Sequence, residues 1–286
     1  MSNTFVSDRF YFSPNVLALI HKYAGSTFVV KYGGSVMRDS SLRVQFIQDL
    51  SLLHSCGIKV VLVHGGGAFI NYWLNKLDIM PCFDNGIRVT DLPTMEVVEM
   101  VLVGKVNKQL VSLINQHKMI AVGLSGQDAN LVVASPMSSA TNNFTGQVDN
   151  VNPDILELLL FNKYIPVVAS VATDSQGNRY NVNADTVASA IASSLNAEKL
   201  ILVTDTPGVL MDVNDYSTLV KDLNLEMINH LKCNKTIVGG MIPKIQSCVD
   251  ALKNNVQSAH IIDGTMRHSL LYEALTDERV GSMITL

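Results

Sequence analysis

Six short apolar runs recur along the chain, and their regular spacing constrains the fold more than any other feature. Each run is rich in Val and Ile and is bounded by Gly, Asn or Asp. They are Thr27–Lys31, Ile58–Val63, Met119–Leu124, Ile165–Ala169, Lys199–Val203 and Ala259–Ile262. Near-continuous apolar runs are typical of strands that are buried on both faces of a parallel sheet.

Helical periodicities occupy the segments between these runs. The clearest are Leu42–Cys56, Met95–Gln116 and Ala184–Leu195. Alternating strands and helices predict an α/β protein with right-handed crossovers and a largely parallel sheet. Turn residues cluster at 172–183, so we expect two lobes, 26–178 and 179–286, that share the sheet. Ligands should then bind in the cleft above the carboxyl ends of the strands.

An additional helix is predicted before the first strand, within residues 1–25. Ser13 and Pro14 form an N-cap and N1 pair, and an apolar face follows from Val16 to Tyr23. This helix lies outside the alternation of strands and helices. Its apolar face must pack either on its own domain or on another subunit, and the sequence leaves both alternatives open.

Composition limits the classes of function. Of 286 residues, 48% are hydrophobic and the net charge is −4, so we expect a large core and no broad basic face for nucleic acid or anionic membrane. The four cysteines have no metal-ligand spacing, which favours free thiols in a reducing compartment. No apolar run approaches the ~20 residues of a membrane span, and the first residues resemble neither a signal peptide nor a transit peptide. We therefore expect a soluble protein that works where it is made.

Two glycine-rich turns follow predicted strands, in "FVVKYGGSV" (28–36) and "VVLVHGGGA" (60–68). Glycines allow an anion to approach the backbone closely, and the unpaired N–H groups at a helix start favour negative charge. The alternative is that they are tight turns that need positive φ. Two such turns at neighbouring strand ends favour anion binding. They do not match the P-loop or GxGxxG patterns, and "GLSGQ" (123–127) misses the GxSxG pattern of serine hydrolases.

Three charged residues accompany these turns. Lys31 ends a buried strand, Lys244 follows paired glycines at the start of a predicted helix, and Asp185 opens another helix. A lysine in such a place is costly unless an anion pairs with it, although a solvated strand end remains the alternative. Asp185 alone could be an ordinary helix N-terminal charge. A fourth group, Asp205, precedes a Pro-Gly turn at another strand end.

Several segments together resemble the amino acid kinase superfamily and, within it, the N-acetylglutamate kinases. They are "VVKYGGS", "VVLVHGGG", "NGIRVTD", "TMEVVEMVLVGKVNK", "GLSGQDANL", "YNVNADT", "LVTDTPGVL" and "GGMIPKI". The resemblance extends from about residue 27 to the C-terminus. It implies a three-layer αβα sandwich and an enzyme that phosphorylates the γ-carboxylate of N-acetyl-L-glutamate with ATP and Mg²⁺, the second step of arginine biosynthesis.

The resemblance also implies roles for individual residues. Lys31 and Lys244 would stabilise the transition state from the two lobes, and Asp185 would hold both lysines in place. The glycines expected to contact the phosphoryl group or the substrate through their N–H groups are Gly33, Gly34, Gly65 and Gly66. No protein side chain is assigned to a metal.

Substrate and nucleotide contacts are implied in the same way. Arg88 would bind the α-carboxylate, for which its planar donors are suited, and Asn181 would hold the acetylamino end. Asp205 and the turn to Gly208 would lie on the nucleotide side. Without the resemblance, Arg88 would be interpreted as a surface arginine and Asn181 as a turn residue.

Regulation by L-arginine is a further implication of the resemblance. The N-terminal helix resembles one that links dimers into a homohexamer, a trimer of dimers, in arginine-inhibited members. His260 and Glu273 match positions that bind arginine, but Arg279 stands where the family usually has glycine. A PII-type signalling protein is a further expected partner, and a plastid-encoded or cyanobacterial source would place the chain in the chloroplast stroma or the bacterial cytoplasm.

Two other classes of function remain open. One is a superfamily member that phosphorylates another acceptor, such as aspartate, glutamate, carbamate or a nucleotide. The other is an arginine-sensing subunit whose catalytic site has decayed. The presence of both lysines and Asp185 argues against the second alternative.

Overall fold

The computed structural model describes residues 13–84, 86–138 and 142–286, so the first twelve residues of the predicted 1–25 segment lie outside it. The helices are α1 (Pro14–Tyr23), α2 (Ser40–Ser55), α3 (Gly67–Lys76), α4 (Leu92–Glu99), α5 (Asn107–Gln116), α6 (Asp154–Phe161), α7 (Ala184–Ser194), α8 (Leu225–Cys233), α9 (Met241–Lys253) and α10 (Ser269–Leu275). The strands are β1 (Thr27–Tyr32), β2 (Lys59–His64), β3 (Cys82–Asp84), β4 (Ile87–Val89), β5 (Ala121–Ser125), β6 (Val132–Pro136), β7 (Thr145–Val151), β8 (Ile165–Ala169), β9 (Val171–Thr173), β10 (Arg179–Val182), β11 (Lys199–Thr204), β12 (Asp222–Leu223), β13 (Ser258–Asp263) and β14 (Ser282–Ile284).

An eight-stranded sheet forms the centre of the molecule, in the order β12-β14-β13-β11-β1-β2-β8-β5. All six predicted strands belong to it, each within two residues of its predicted bounds. Its pairs are parallel except for β13 with β14, which are antiparallel. The α/β fold with a largely parallel sheet is therefore confirmed, and β1, β2 and β11 all end at one edge of it.

Helices cover both faces of the sheet, which makes the three predicted layers. Successive side chains of β1 alternate between the faces, as the period of two in a strand requires. Phe28, Val30 and Tyr32 pack in one buried core with α2, α3 and α5, whereas Val29 packs in the other with α7 and α9. Lys31 therefore belongs to the face that α7 covers.

A closed four-stranded barrel, β10-β7-β6-β9, accompanies the main sheet and was not predicted. Its strands are short and contain Gly, Asn, Asp and Ser, so they lack a clean alternation of apolar residues. The β9–β10 hairpin occupies the 172–183 segment, which was expected to be a seam between lobes. The division into lobes stays a prediction.

The long predicted helix Met95–Gln116 contains a change of helical type. α4 and α5 are joined by a π-helical segment, Met100–Val106, whose wider turns change the direction of the side chains that follow. A continuous 3.6-residue pattern does not reveal such an interruption.

The first helix packs on its own chain. Ser13 caps α1 and Pro14 is its first residue, as predicted. Val16 and Tyr23 are buried in the same core as Phe28 of β1, and the Tyr23 ring makes an edge-to-face contact with Phe28. The four cysteines are free thiols. Among the described residues, no helix combines the length and apolar character of a membrane span.

Candidate functional site

One carboxylate holds two lysines together at the carboxyl edge of the sheet. The Nζ atom of Lys31 lies 2.8 Å from Oδ1 of Asp185, and the Nζ atom of Lys244 lies 2.8 Å from Oδ2. Lys31 is 7% exposed and Asp185 is 4% exposed, so these charges are largely removed from water. The predicted convergence of the three residues is present in the structure.

Local sequence explains how the three side chains meet. Lys31 points from β1 toward α7, and Asp185 lies in the first turn of α7. The side chain of Asn183 caps that helix by accepting hydrogen bonds from the backbone N–H groups of Asp185 and Thr186. Lys244 lies in the first turn of α9, and that helix begins directly after Gly239 and Gly240. The cluster therefore joins one strand end to two helix starts.

Burial and ion pairing determine the protonation states in the cluster. Burial lowers the pKa of Lys31, while the Asp185 carboxylate acts in the opposite direction. Burial alone would raise the pKa of Asp185, but the ammonium groups of Lys31 and Lys244 outweigh it and hold that pKa well below its usual value. Asp185 is therefore ionised at neutral pH, and its charge favours a protonated Lys31.

The first glycine turn leaves room for Lys31. A Cβ atom at Gly33 would lie 2.3 Å from the Nζ atom of Lys31, so a larger residue would displace the ammonium group. Gly34 has a φ of +76° and lies against the carboxyl group of Asp205. The helix predicted after this turn is α2, but it begins only at Ser40, because a short 3₁₀ segment, Ser35–Met37, lies between it and the glycines.

The second glycine turn leads directly into α3, as predicted. The helix begins at Gly67 after the non-helical Gly66. A Cβ atom at Gly66 would lie 2.6 Å from Leu102 of the π-helical segment. The close packing of Leu102 therefore requires glycine at this position.

A pocket with a cavity of about 260 Å³, named here the glycine pocket, lies over both turns. Its lining includes the five glycines of the turns, Lys31 and Asp185, together with Arg88 and Asn181. The residues that were predicted to contact the substrate or the phosphoryl group thus lie around one cavity, except that Lys244 lines a second pocket.

Arg88 is held in the glycine pocket with one donor group unused. Its Nη2 atom donates to Oδ1 of Asn71 at 2.5 Å and to the carbonyl of Gly67 at 3.3 Å, and its guanidinium stacks 4.7 Å from the ring centroid of Phe83. Among the residues that the structure describes, its buried Nη1 atom has no hydrogen-bond partner. A buried charged donor of this kind requires an acceptor, which a ligand carboxylate can supply.

Asn181 is oriented by the same part of the structure. Its Nδ2 atom donates to Oγ1 of Thr90 at 3.0 Å, and the Thr90 hydroxyl donates to the carbonyl of Arg88 at 3.1 Å. The Thr145 hydroxyl also donates to that carbonyl, at 2.7 Å. Arg88 and Asn181 are therefore fixed relative to each other. The contact with Thr90 uses the Nδ2 atom of Asn181 and does not involve its amide oxygen.

A second pocket, named here the β11 pocket, has a cavity of about 320 Å³ and follows the end of β11. Lys244 lines it together with Asp205, Gly208 and the apolar side chains of Val209, Leu210, Ile237, Val238 and Met241. Gly208 has a φ of +146°, and a Cβ atom there would lie 2.5 Å from Oγ of Ser282. That hydroxyl accepts from the N–H of Val209 at 2.9 Å and so fixes the turn. The pocket combines an apolar cavity with a cation at one end.

His260 and Glu273 bind each other in the second half of the molecule. Nδ1 of His260 lies 2.7 Å from Oε1 of Glu273, and both side chains are buried. The N–H groups of Val280 and Gly281 donate to the other carboxylate oxygen. Arg279 pairs with Asp222. The two positions that the resemblance assigns to an effector are thus neighbours, and a ligand that takes either one must compete with their mutual contact.

Some supporting residues could not be found in the sequence. Asn71, which accepts a hydrogen bond from Arg88, lies on α3, 17 positions earlier in the chain. Thr90, directly after β4, lies next to Thr145, the first residue of β7. No spacing rule connects such residues, because only the tertiary fold brings them together. The "RVT" tripeptide that contains Arg88 and Thr90 was the one available signal.

Comparison with known sequences identifies a family model and close relatives. The model of the amino acid kinase family matches residues 26–263. An acetylglutamate kinase of Gracilaria tenuistipitata var. liui is 55% identical, with 100% of both chains covered. Those of Acaryochloris marina and a Nostoc species are 50% and 53% identical, covering 98% and 94% of this chain and 98% and 90% of the relatives.

Solved structures with the same fold are also found. N-acetylglutamate synthase from Neisseria gonorrhoeae, complexed with coenzyme A and N-acetyl-glutamate, aligns with a TM-score of 0.83 at 22% identity. The alignment covers 95% of this chain and 62% of the synthase, and this likeness shows the fold alone. A protein of Streptococcus mutans UA159 aligns with a TM-score of 0.77 at 28% identity, over 91% of this chain and 98% of that one.

Proposed function

This chain belongs to the amino acid kinase family, and from its likeness to the acetylglutamate kinases we propose that it transfers the γ-phosphoryl group of ATP to the γ-carboxylate of N-acetyl-L-glutamate. The product is N-acetyl-L-glutamyl 5-phosphate, and the reaction belongs to arginine biosynthesis. The observation that carries the proposal is the Lys31–Asp185–Lys244 cluster, which joins the glycine pocket to the β11 pocket.

Phosphoryl transfer requires alignment of the two reactants and neutralisation of charge on the group that moves. Lys31 and Lys244 place two ammonium groups at the junction of the pockets, and Asp185 fixes both. The backbone N–H groups of Gly33, Gly34, Gly65 and Gly66 supply further donors on the side of the acceptor. Donors that are already oriented need no rearrangement as negative charge develops, and this lowers the barrier.

The glycine pocket suits a small acceptor with two carboxylates and an amide. The unused Nη1 donor of Arg88 supports binding of the α-carboxylate there. The Asn181 amide, oriented through Thr90, supports a contact with the acetylamino group. This arrangement leaves the γ-carboxylate to face the two glycine turns and Lys31.

We expect Arg88→Lys to raise the KM for N-acetyl-L-glutamate by about 10- to 100-fold, because a lysine cannot keep both the Asn71 contact and a planar pair of donors for a carboxylate. The KM for ATP should stay unchanged, and kcat should fall much less. Steady-state kinetics with each substrate varied would measure the effect. Arg38→Lys, at an exposed site outside both pockets, is the matched control; a KM unaltered by Arg88→Lys would remove Arg88 from the substrate site.

The β11 pocket is proposed to bind ATP. Its apolar side chains suit a base, Lys244 suits the phosphates, and Asp205 and the turn at Gly208 lie beside them. Mg²⁺ enters with ATP as part of the substrate. The described residues contain no group of three His, Cys, Asp or Glu side chains that could hold a metal, and Mg²⁺ commonly binds phosphate oxygens while it keeps several waters.

The decisive experiment is ATP-dependent formation of an acyl phosphate, trapped as a hydroxamate. N-acetyl-L-glutamate should support turnover, and free L-glutamate should not. Parallel assays with aspartate, carbamate and uridylate test the remaining superfamily activities. Turnover with another acceptor alone would replace the proposed substrate, and no turnover with any of them would favour an arginine-sensing subunit.

We also propose feedback inhibition by L-arginine at His260 and Glu273. In support, Lys199 lies 3.4 Å from Nε2 of His260 and 4.9 Å from the ring centroid of Tyr23 in α1. The cluster therefore contacts the helix that the family resemblance connects with a homohexamer. A PII-type partner, the hexamer and a location in the chloroplast stroma or the bacterial cytoplasm belong to the same proposal.

Titration with L-arginine is expected to inhibit the enzyme, and Glu273→Gln should weaken that inhibition at least about tenfold, since it removes the charge that a guanidinium would pair with. Initial rates at fixed substrate concentrations measure the effect. A flat response of the parent enzyme up to millimolar arginine would contradict the proposal. Glu226→Gln, on α8, serves as the matched control.

A further inference from the structure

His64 is a fully buried histidine that the proposed mechanism does not use. It is the last residue of β2 and directly precedes the glycine turn. Its Nδ1 atom lies 2.9 Å from the carbonyl oxygen of Gly65, and its Nε2 atom lies 3.1 Å from Nδ2 of Asn107. A buried histidine between two defined partners can fix the backbone beside it.

The partners determine the proton on the ring. Burial lowers the pKa of His64 to about 4, so the imidazole is neutral at working pH and carries one N–H. The carbonyl of Gly65 can only accept, so Nδ1 carries the proton and donates it. Nε2 then accepts from the amide of Asn107, which is a donor at that position. Both contacts are satisfied by this single arrangement.

Asn107 is itself fixed from several directions. Its side chain is fully buried, and its Nδ2 atom also lies 2.8 Å from the carbonyl of Val167 in β8 and 3.2 Å from that of Leu124 in β5. Its Oδ1 atom points at Gly123, where a Cβ atom would lie only 2.0 Å away. Gly123, part of the "GLSGQ" segment, thus leaves the space that Asn107 requires.

The π-helical segment accounts for the direction of Asn107. Asn107 is the residue that follows this segment, and Leu102 within it packs against Gly66. One stretch of helix therefore supports both residues of the turn, Gly66 directly and Gly65 through His64. π-Helical insertions are frequent at functional sites, where they redirect side chains.

Peptide geometry connects His64 to the cleft. No described peptide bond is cis. In a trans peptide the C=O of one residue and the N–H of the next point in opposite directions. His64 holds the C=O of Gly65 toward the buried ring, so the N–H of Gly66 points away from it, and Gly66 lines the glycine pocket.

We propose that His64, held by Asn107, is a positioning residue that orients the Gly65–Gly66 peptide so that the N–H of Gly66 faces the reacting group. The catalytic consequence depends on the proposed function, because it assumes that phosphoryl transfer occurs over this turn. The orientation of the peptide does not depend on the identity of the substrate.

Two isosteric replacements separate the contacts of His64. His64→Asn places an amide N–H where Nδ1 stands and retains the bond to Gly65. His64→Gln places its amide where Nε2 stands, so it retains the Asn107 contact and loses the bond to Gly65. We expect kcat of His64→Gln to fall about 10- to 100-fold, with little change in the KM for ATP. This is less than the ~10²–10³-fold loss of kcat on removal of an oriented donor, because the Gly66 N–H is still present and only its orientation changes. His64→Asn should stay within about threefold of the parent enzyme.

Amide NMR of protein labelled with ¹⁵N-glycine provides a readout that needs no turnover. The Gly66 amide resonance should shift in His64→Gln and stay near its parent position in His64→Asn. Absence of kinase activity in the parent enzyme would refute the proposed function, while the resonance would still test the peptide orientation. Equal kcat values and equal Gly66 shifts in the two variants would overturn the proposal. Failure of both to fold would also overturn it, because His64 would then be a stabilising core residue only.

Discussion

Replacing Lys31 with alanine is expected to lower kcat by about 10²–10³-fold while the KM values for ATP and N-acetyl-L-glutamate change by less than about threefold. The ammonium group of Lys31 lies at the junction of the two pockets, where charge develops on the group being transferred. Its contact with the phosphoryl group therefore strengthens in the transition state, and its loss affects the rate more than binding. Steady-state kinetics with each substrate varied would measure both parameters.

Lys31→Arg should not restore the rate. A Cβ atom at Gly33 would lie 2.3 Å from the Nζ atom of Lys31, so the ammonium group lies close to the Gly33 backbone, and the larger planar guanidinium cannot take the same position. Lys59→Ala is the matched control, since this exposed lysine begins β2 at the opposite edge of the sheet. Near-normal turnover of Lys31→Ala would rule out the proposed role of the cluster.

Six of the eight strands of the main sheet could be predicted from the sequence because they are buried on both faces, whereas the short strands β12 and β14 were not predicted. Ile165–Ala169 has its predicted bounds, since a short, fully apolar run is typical of a strand buried on both faces. Asp185 at the start of α7 also followed from local sequence. The pairing of Asp185 with both Lys31 and Lys244 required the family resemblance, because these residues are far apart in the chain.

Other features had no sequence signal. β7, "TGQVDNV", is only partly buried and has no strict alternation, and the π-helical segment keeps an apolar pattern that a regular helix would also show. The link from His64 to Asn107 joins a strand to a helix 43 positions later. Hydrogen bonds of this kind depend on how the strands and helices pack, and no local sequence pattern indicates them. The candidate ligand contacts could therefore be predicted from the family resemblance, but the residues that support them could not.

In Asp185→Asn, we expect a rise in pH to increase the stability of the protein and to decrease its residual kcat. The amide has nearly the same shape, but it leaves two ammonium groups without their shared counter-charge. Loss of one partner from a buried ion pair commonly costs about 3–5 kcal/mol, because the remaining charge stays buried and unpaired. We therefore expect a lower melting temperature at pH 6–7 and a kcat reduced at least about 100-fold.

The direction of the pH effects follows from Lys31. Burial already lowers its pKa from 10.5, and Asp185 is the largest influence that raises it, so Asp185→Asn lowers it further. At pH values between that lowered pKa and the unfolded value, the unfolded state binds more protons than the folded state, and stability rises with pH. The neutral amine cannot stabilise the phosphoryl group, so residual kcat falls over the same range.

Melting temperatures and kcat values of Asp185→Asn, measured from pH 6 to pH 9.5, would test this divergence. The melting temperature of the variant should rise toward that of the parent enzyme as its residual activity disappears. Asp250→Asn is the matched control, because Asp250 is an exposed carboxylate on the same helix as Lys244. Parallel pH dependence of stability in the variant and the parent would show that Asp185 does not maintain the charge of Lys31. Phosphoryl transfer would then have to depend on Lys244 and the glycine N–H groups.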